Sequence, residues 1–357
     1  MALLRRKRIK QTIVCIFISS LSALLMSCQI GYLLGSAYDQ TGLLLAREPI
    51  QKVLADPNID SEKKRKLSLT VEAHTYAESI GLKKTKSYTS YVELGRPYVT
   101  YVVSAAEKNR LEHYFWSFPL VGKLPYKGYF EKDKAQELAQ QMRDKNYDVY
   151  VRGVSAYSTL GWFYDPILSS MLNYRDHDLV ETLIHELLHA TVFIKDATDF
   201  NERIANFVGN KGAIDFYKKR EGENSETVKA ILAERHDDQL FSEFITAEVH
   251  NLDIWYKERS QPGAPLLSEG ERIERIKSIQ IKFIKDIRPK ISPGFRKDFE
   301  TAELNNAKLL LFKLYDNNPA QLEKLYLKYD QNLSKFVNYL KSLQSEGDLK
   351  RDLADLK

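Results

Sequence analysis

Apolar residues recur at three- and four-residue spacing through "TGLLLAREPIQKVLADP" and "SEKKRKLSLTVEAHTYAESIGL". That period predicts helices across residues 38–86, with Pro49 and Pro57 at ends or kinks. The pattern changes near Tyr88. "RPYVTYVVSAA", "EHYFWSFPLVG", "YDVYVRGV" and "AYSTLGWF" are rich in Val, Tyr, Phe, Trp and Thr, which predicts strands. "KDKAQELAQQMRDKN" between them predicts a helix. Residues 178–195 predict another helix, followed by a short polar loop and a second helix. From about residue 224 the chain is charged and helical, with Pro262, Pro265, Pro289 and Pro293 as breaks. No internal repeat or long low-complexity tract interrupts it. Strands gather before the 178–195 helix and helices dominate after it. This argues an α+β fold rather than regular alternation.

The formal charge is +5, from 53 basic and 48 acidic residues. Arg5, Arg6, Lys7, Arg8 and Lys10 hold that excess, because residues 1–27 contain no acidic residue. The remainder is neutral, and no basic stripe is left for nucleic acid. The basic start precedes an apolar run from Thr12 to Met26, the pattern of a secretory signal over residues 1–27. Leu25-Met26-Ser27-Cys28 resembles the bacterial lipobox, which implies a lipid on Cys28 as the mature N-terminus. The chain would then be exported to the cell envelope and tied to a membrane, the outer one in a diderm bacterium. "TIVCIFISSLSALLMSCQIGYLL" is also just long enough to stay as a single spanning helix. Cys15 lies in the apolar run, so a cleaved chain has no second cysteine for a disulfide or thiolate site.

In "ETLIHELLHATV", residues 181–192, His185 and His189 stand four apart with Glu186 between them. Asp178-Leu179-Val180-Glu181 is a capping-box pattern, so the helix is expected to start at Asp178 and run to about Ile194. The histidines project about 40° apart on it, with Glu186 about 60° from His189. Most of the remaining surface is Leu, Ile, Val and Ala, which predicts burial. Two such imidazoles can hold Zn²⁺ at about 2.0–2.1 Å while the glutamate reaches a water as general base. Two hydrogen-bonded core histidines are the competing reading.

Zinc needs a third ligand. Glu202 in "TDFNERIANFVG" returns to the height of the histidines if the second helix runs back antiparallel. Asp199-Phe200-Asn201-Glu202 is also a capping-box pattern, which gives Glu202 a local alternative. Asp196 and Asp199 are rivals in the turn. Catalytic zinc sites commonly use two histidines and a glutamate, which favours Glu202.

H-E-L-L-H followed by N-E-R-I-A resembles the gluzincin metallopeptidases, although their commoner members place the glutamate several residues farther on. The chain more closely resembles a bacterial family of zinc aminopeptidases. "AREPIQKVLADP", "YVELGRPYVTYVV", "FPLVGKLPYKGYF", "YDVYVRGVSAYSTLGWFYDPILS", "HELLHATVF", "FNERIANFVG" and "LNNAKL" carry the likeness, from about Ala46 to Leu309. It implies a zincin-like core with a small mixed sheet and an active-site helix at residues 88–223. Helical regions at 28–87 and 224–357 flank that core. It also implies hydrolysis of peptide or protein substrates, by aminopeptidase action. A non-catalytic envelope lipoprotein using the same fold for binding or assembly is the alternative. "AYSTLGWF", residues 156–163, reads equally as a substrate-pairing edge strand or a core strand. Tyr157, Tyr164, His236 and Tyr315 are candidates to stabilise an oxyanion, and the role stays unassigned. His236 and His250 fall on a charged helix and read as solvated or structural. Asn305-Asn306-Ala307 reads as a buried polar network or as a cap.

Overall fold

A computed structural model of the chain describes residues 40–118, 122–156, 164–194, 197–313 and 320–345. Cys28, Tyr157, Asp196, Tyr315 and most of the 156–163 segment lie outside the described residues. No helix among the described residues is long and apolar enough to cross a membrane.

The main helices are α1 (Ser61–Ser79), α2 (Lys132–Asp144), α3 (Asp176–His189), α4 (Thr198–Glu221), α5 (Glu226–Arg259), α6 (Glu269–Lys282), α7 (Asn306–Lys313), α8 (Ala320–Lys328) and α9 (Leu333–Ser345). The strands are β1 (Glu48–Pro49), β2 (Ser90–Val92), β3 (Thr100–Ala106), β4 (Trp116–Phe118), β5 (Gly122–Leu124), β6 (Tyr126–Tyr129), β7 (Asp148–Val154) and β8 (Ile167–Leu168). Helices and small sheets together make the expected α+β fold. β3 lies between β6 and β7, antiparallel to both, with Val103 opposite Lys127 and Val151. β2 joins β1 antiparallel and β8 parallel, giving a small mixed sheet. β4 and β5 form a separate hairpin.

The β6-β3-β7 sheet is covered on both faces, and side-chain alternation explains how. Val103 and Ala105 of β3 pack with Ala135, Ala139 and Met142 of α2. Ala106 joins a second cluster built from α5, α6 and α7, including Phe241, Leu252, Ile279 and Leu309. The largest cluster gathers α1, α3, α4 and α9 through Leu67, Leu183, Ile184, Leu187, Val208 and Phe336. Full burial of such a side chain stabilises the fold by about 1.5–3 kcal/mol. Within that cluster the histidine helix packs against α1 and α4.

Three local expectations are corrected. Glu48–Pro49 is a strand paired with β2, where only a helix end or kink at Pro49 was expected. The α3 helix starts at Asp176 rather than Asp178, with no side-chain cap. Asp178 instead accepts from Arg175 at 2.7 and 3.1 Å, and Glu181 pairs with Arg235 of α5. A local ion pair with Arg175 and a tertiary one with Arg235 outcompete the cap. α3 also ends at His189, well before Ile194. Thr191 Oγ1 donates to the Leu187 carbonyl at 2.7 Å and accepts from the Lys83 amide at 2.9 Å, which draws the chain off the helix axis.

Asn305 and Asn306 divide the two roles open to them. Asn305 Oδ1 accepts from the Lys308 amide at 3.0 Å, which caps α7. Asn306 is fully buried; its side chain donates to the Glu107 carbonyl at 2.8 Å and accepts from the Tyr256 hydroxyl at 3.0 Å. Its amide donates to Asp148, which also pairs with buried Arg272 at 2.7 Å. This network ties β7 to the C-terminal helices.

Candidate metal centre

α3 presents two chemistries because its burial is one-sided. Leu179, Val180, Leu183, Ile184, Leu187 and Leu188 enter the core, while Glu181, Thr182, His185 and Glu186 are partly accessible. A short connection then reverses the chain. Asn201 holds it closed: its Oδ1 accepts from the Ile194 amide at 3.0 Å and its Nδ2 donates to the Ile194 carbonyl at 2.8 Å. Asn201 is itself buried, so this backbone-like pairing is shielded from water. α4 then runs antiparallel to α3.

The reversal brings Glu202 to the histidines. His185 Nε2 and His189 Nε2 lie 3.1 Å apart. A Glu202 carboxylate oxygen lies 3.6 Å from His185 Nε2, and its other oxygen 3.4 Å from His189 Nε2. Tetrahedral zinc with bonds of about 2.0–2.1 Å separates its ligand atoms by about 3.3 Å. Two imidazole nitrogens and a carboxylate with one oxygen near each of them, at these separations, fit the donor set and size that zinc requires. Capping does not compete for Glu202, because α4 begins at Thr198 and no side chain caps it. Asp199 is outside this donor group.

The two imidazoles sit in different electrostatic surroundings. Burial, and then the neighbouring His189, lowers His185 to about 4, so this imidazole is neutral near pH 7. Burial acts the same way on His189, but the hydrogen bond and charge of Glu202 outweigh it and raise this imidazole. The hydrogen bond from His189 in turn holds Glu202 below the usual carboxylate range. A divalent cation between the three would compete with protonation of His189.

Asn206 is a residue that sequence reasoning passed over. It stands one turn after Glu202, and its side chain hydrogen-bonds the His185 ring. Such outer partners fix the orientation of a ligating histidine. The four-residue step from Glu202 to Asn206 was the available signal.

His185 and Glu186 open on a cavity of about 580 Å³ that also touches Thr182 and Asn206. That volume lies within the range of ligand-binding clefts, about 300–1,000 Å³. Its farther wall is charged, with Arg175, Glu234, Arg235 and Asp238 among the lining residues. His177, Asp178 and Glu234 come close enough there to suggest a second metal group. Arg175, however, donates to both Asp178 and Glu234, so a guanidinium already neutralises them. His236 and His250 are exposed on α5, and Tyr164 is exposed with no part in the donor group.

No curated protein and no solved structure matches the chain. A family model described as "Putative aminopeptidase" matches residues 31–354. That span takes in both helices of the α3–α4 hairpin and nearly all of the chain, which therefore belongs to this aminopeptidase family.

Proposed function

We propose that the protein is a zinc-dependent peptidase with a zincin-like core. One observation carries the reading: His185 Nε2 and His189 Nε2 lie 3.1 Å apart, and the two oxygens of the Glu202 carboxylate lie 3.6 Å from the first and 3.4 Å from the second. These three residues would hold the ion. Zinc would supply Lewis acidity, polarising the scissile carbonyl and easing the ionisation of water. Glu186, one residue from a ligand and facing the cavity, takes a proton from the attacking water on a carboxylate oxygen. The same carboxyl group then hands that proton to the leaving amine. Asn206 steadies the His185 ring, and Asn201 holds the turn that delivers Glu202.

Membership of the aminopeptidase family supports a peptide substrate. Removal of the N-terminal residue is the finer proposal. The setting we propose is the cell envelope, with the chain anchored through Cys28. The deciding experiment measures the metal content of the purified protein and its cleavage of a mixed peptide library with and without chelator. Stoichiometric zinc and chelator-sensitive release of N-terminal residues are expected. Metal-free protein that still cleaves, or zinc-loaded protein that cleaves nothing, would overturn the reading.

A further inference from the structure

α3 and α4 meet along a face where four-residue steps down one helix match steps up the other. His189 faces Glu202, and His185 faces Asn206. Gly209 continues that face, lying against Glu181 and His185. A glycine inside a helix is less favourable than alanine, so its presence here calls for a packing reason. The contact supplies one. A Cβ at position 209 would lie 2.9 Å from the Glu181 carbonyl oxygen and 3.2 Å from His185 Cβ.

The identity of that oxygen matters. In an α-helix the carbonyl of each residue accepts the amide four positions later, so Glu181 O is the acceptor for the His185 amide. A methyl at 209 would press on the backbone group that holds the first histidine in place. Relieving the clash means moving from 2.9 Å to an ordinary contact of 3.4 Å or more. A shift of about 0.5 Å exceeds the roughly 0.2 Å that metal-ligand distances tolerate. Glu202 rides on the same rigid helix, about two turns from Gly209.

We infer that Gly209 is a positioning residue for the metal centre: its missing side chain sets the α3–α4 separation at which Glu202 reaches His185 and His189. This rests on the zinc reading above. Gly212 provides the contrast. A Cβ there would meet Ile184 Cδ1 at 2.9 Å and Cγ2 at 3.0 Å, the ends of a side chain rather than backbone. The strain there would fall on core packing, partly relieved by rotation of the Cδ1 methyl, and not on the backbone group that holds a histidine.

The test compares the full chain with its Gly209→Ala and Gly212→Ala variants. Zinc affinity is measured by competition with a chelating dye. Ligand geometry is read from the absorption spectrum of the cobalt-substituted protein, and folding from melts at several zinc concentrations. Gly209→Ala should bind zinc about 10–100-fold more weakly, the usual cost of disturbing a ligand's support. Its cobalt spectrum should change, and zinc should raise its melting temperature less than it does for the wild type. Gly212→Ala should melt lower while keeping wild-type affinity and spectrum. Wild-type affinity and spectrum in Gly209→Ala would overturn the inference, as would equal losses in both variants. Failure of Gly209→Ala to fold at any zinc concentration would show a purely structural glycine and overturn it too. A wild-type chain that binds no zinc would instead remove the metal reading itself.

Discussion

Glu186 and Glu202 are both glutamates beside the same two histidines, yet their substitutions should separate. Glu186→Gln keeps size and shape but cannot accept a proton. Zinc should stay bound while peptide hydrolysis falls by about 10²–10⁴-fold, the usual range for a general base. Metal analysis and initial rates on one preparation check this, and unchanged turnover would remove Glu186 from the role. Glu202→Ala should act on the metal instead. Its carboxylate is half-exposed and caps nothing, so little stability should be lost. Zinc affinity should drop by more than the roughly 10–100-fold typical of an outer partner. A loss of about 1 kcal/mol in stability with zinc affinity intact would be the mark of a cap, and would exclude ligation.

At the scale of elements, α3 is held by its neighbours more than by its own ends. Asp176, its first residue, accepts from Arg65 and pairs with buried Lys66 of α1 at 2.8 Å. The Arg65 hydrogen bond, reinforced by Lys66, lowers the Asp176 carboxyl to about 2. An unfolded aspartate titrates near 3.9. The folded value is therefore the lower one, and the contribution to stability is present above about pH 4 and lost as pH falls toward 2. Asp176→Asn should destabilise the protein by roughly 1 kcal/mol near pH 7, kept small because solvent screens a pair this accessible. The difference between variant and wild type should close between about pH 4 and pH 2 in urea titrations. A difference independent of pH would mean that packing, not charge, is what Asp176 contributes.

Across the whole molecule, the junction between the β6-β3-β7 sheet and the C-terminal helices is polar where most of the interior is not. Arg272 and Asp148 are 5% and 6% exposed, and their pair connects α6 to β7. Arg272→Met should cost about 3–5 kcal/mol, because it strands a buried carboxylate. Lys52→Ala removes an exposed partner of Glu48 and should change stability by less than about 1 kcal/mol. Chemical denaturation of both variants tests the contrast, and similar small losses would refute the buried-charge account. The N-terminal proposal belongs to this scale as well. Mass spectrometry of the mature protein should find a lipid on Cys28, and an intact Met1 would refute it.

The sequence by itself determined the candidate residues: two histidines and a glutamate on one turn of a largely apolar helix, and Glu202 on the returning helix. It also determined the change from strand-rich to helix-rich composition that makes the fold α+β. These features are local, because period, residue type and a short connection suffice to state them. Only the folded structure showed where α3 begins and ends, since Arg235 of α5 claims Glu181 across the fold and Arg175 claims Asp178 locally, which leaves no cap. It also supplied the distances that bring Glu202, and not Asp199, beside the histidines, because these depend on how closely two helices approach. It also gave Asn201, Asn206 and Gly209 their places. An asparagine or glycine carries no periodic signal, and its meaning lies in the backbone or ring packed against it.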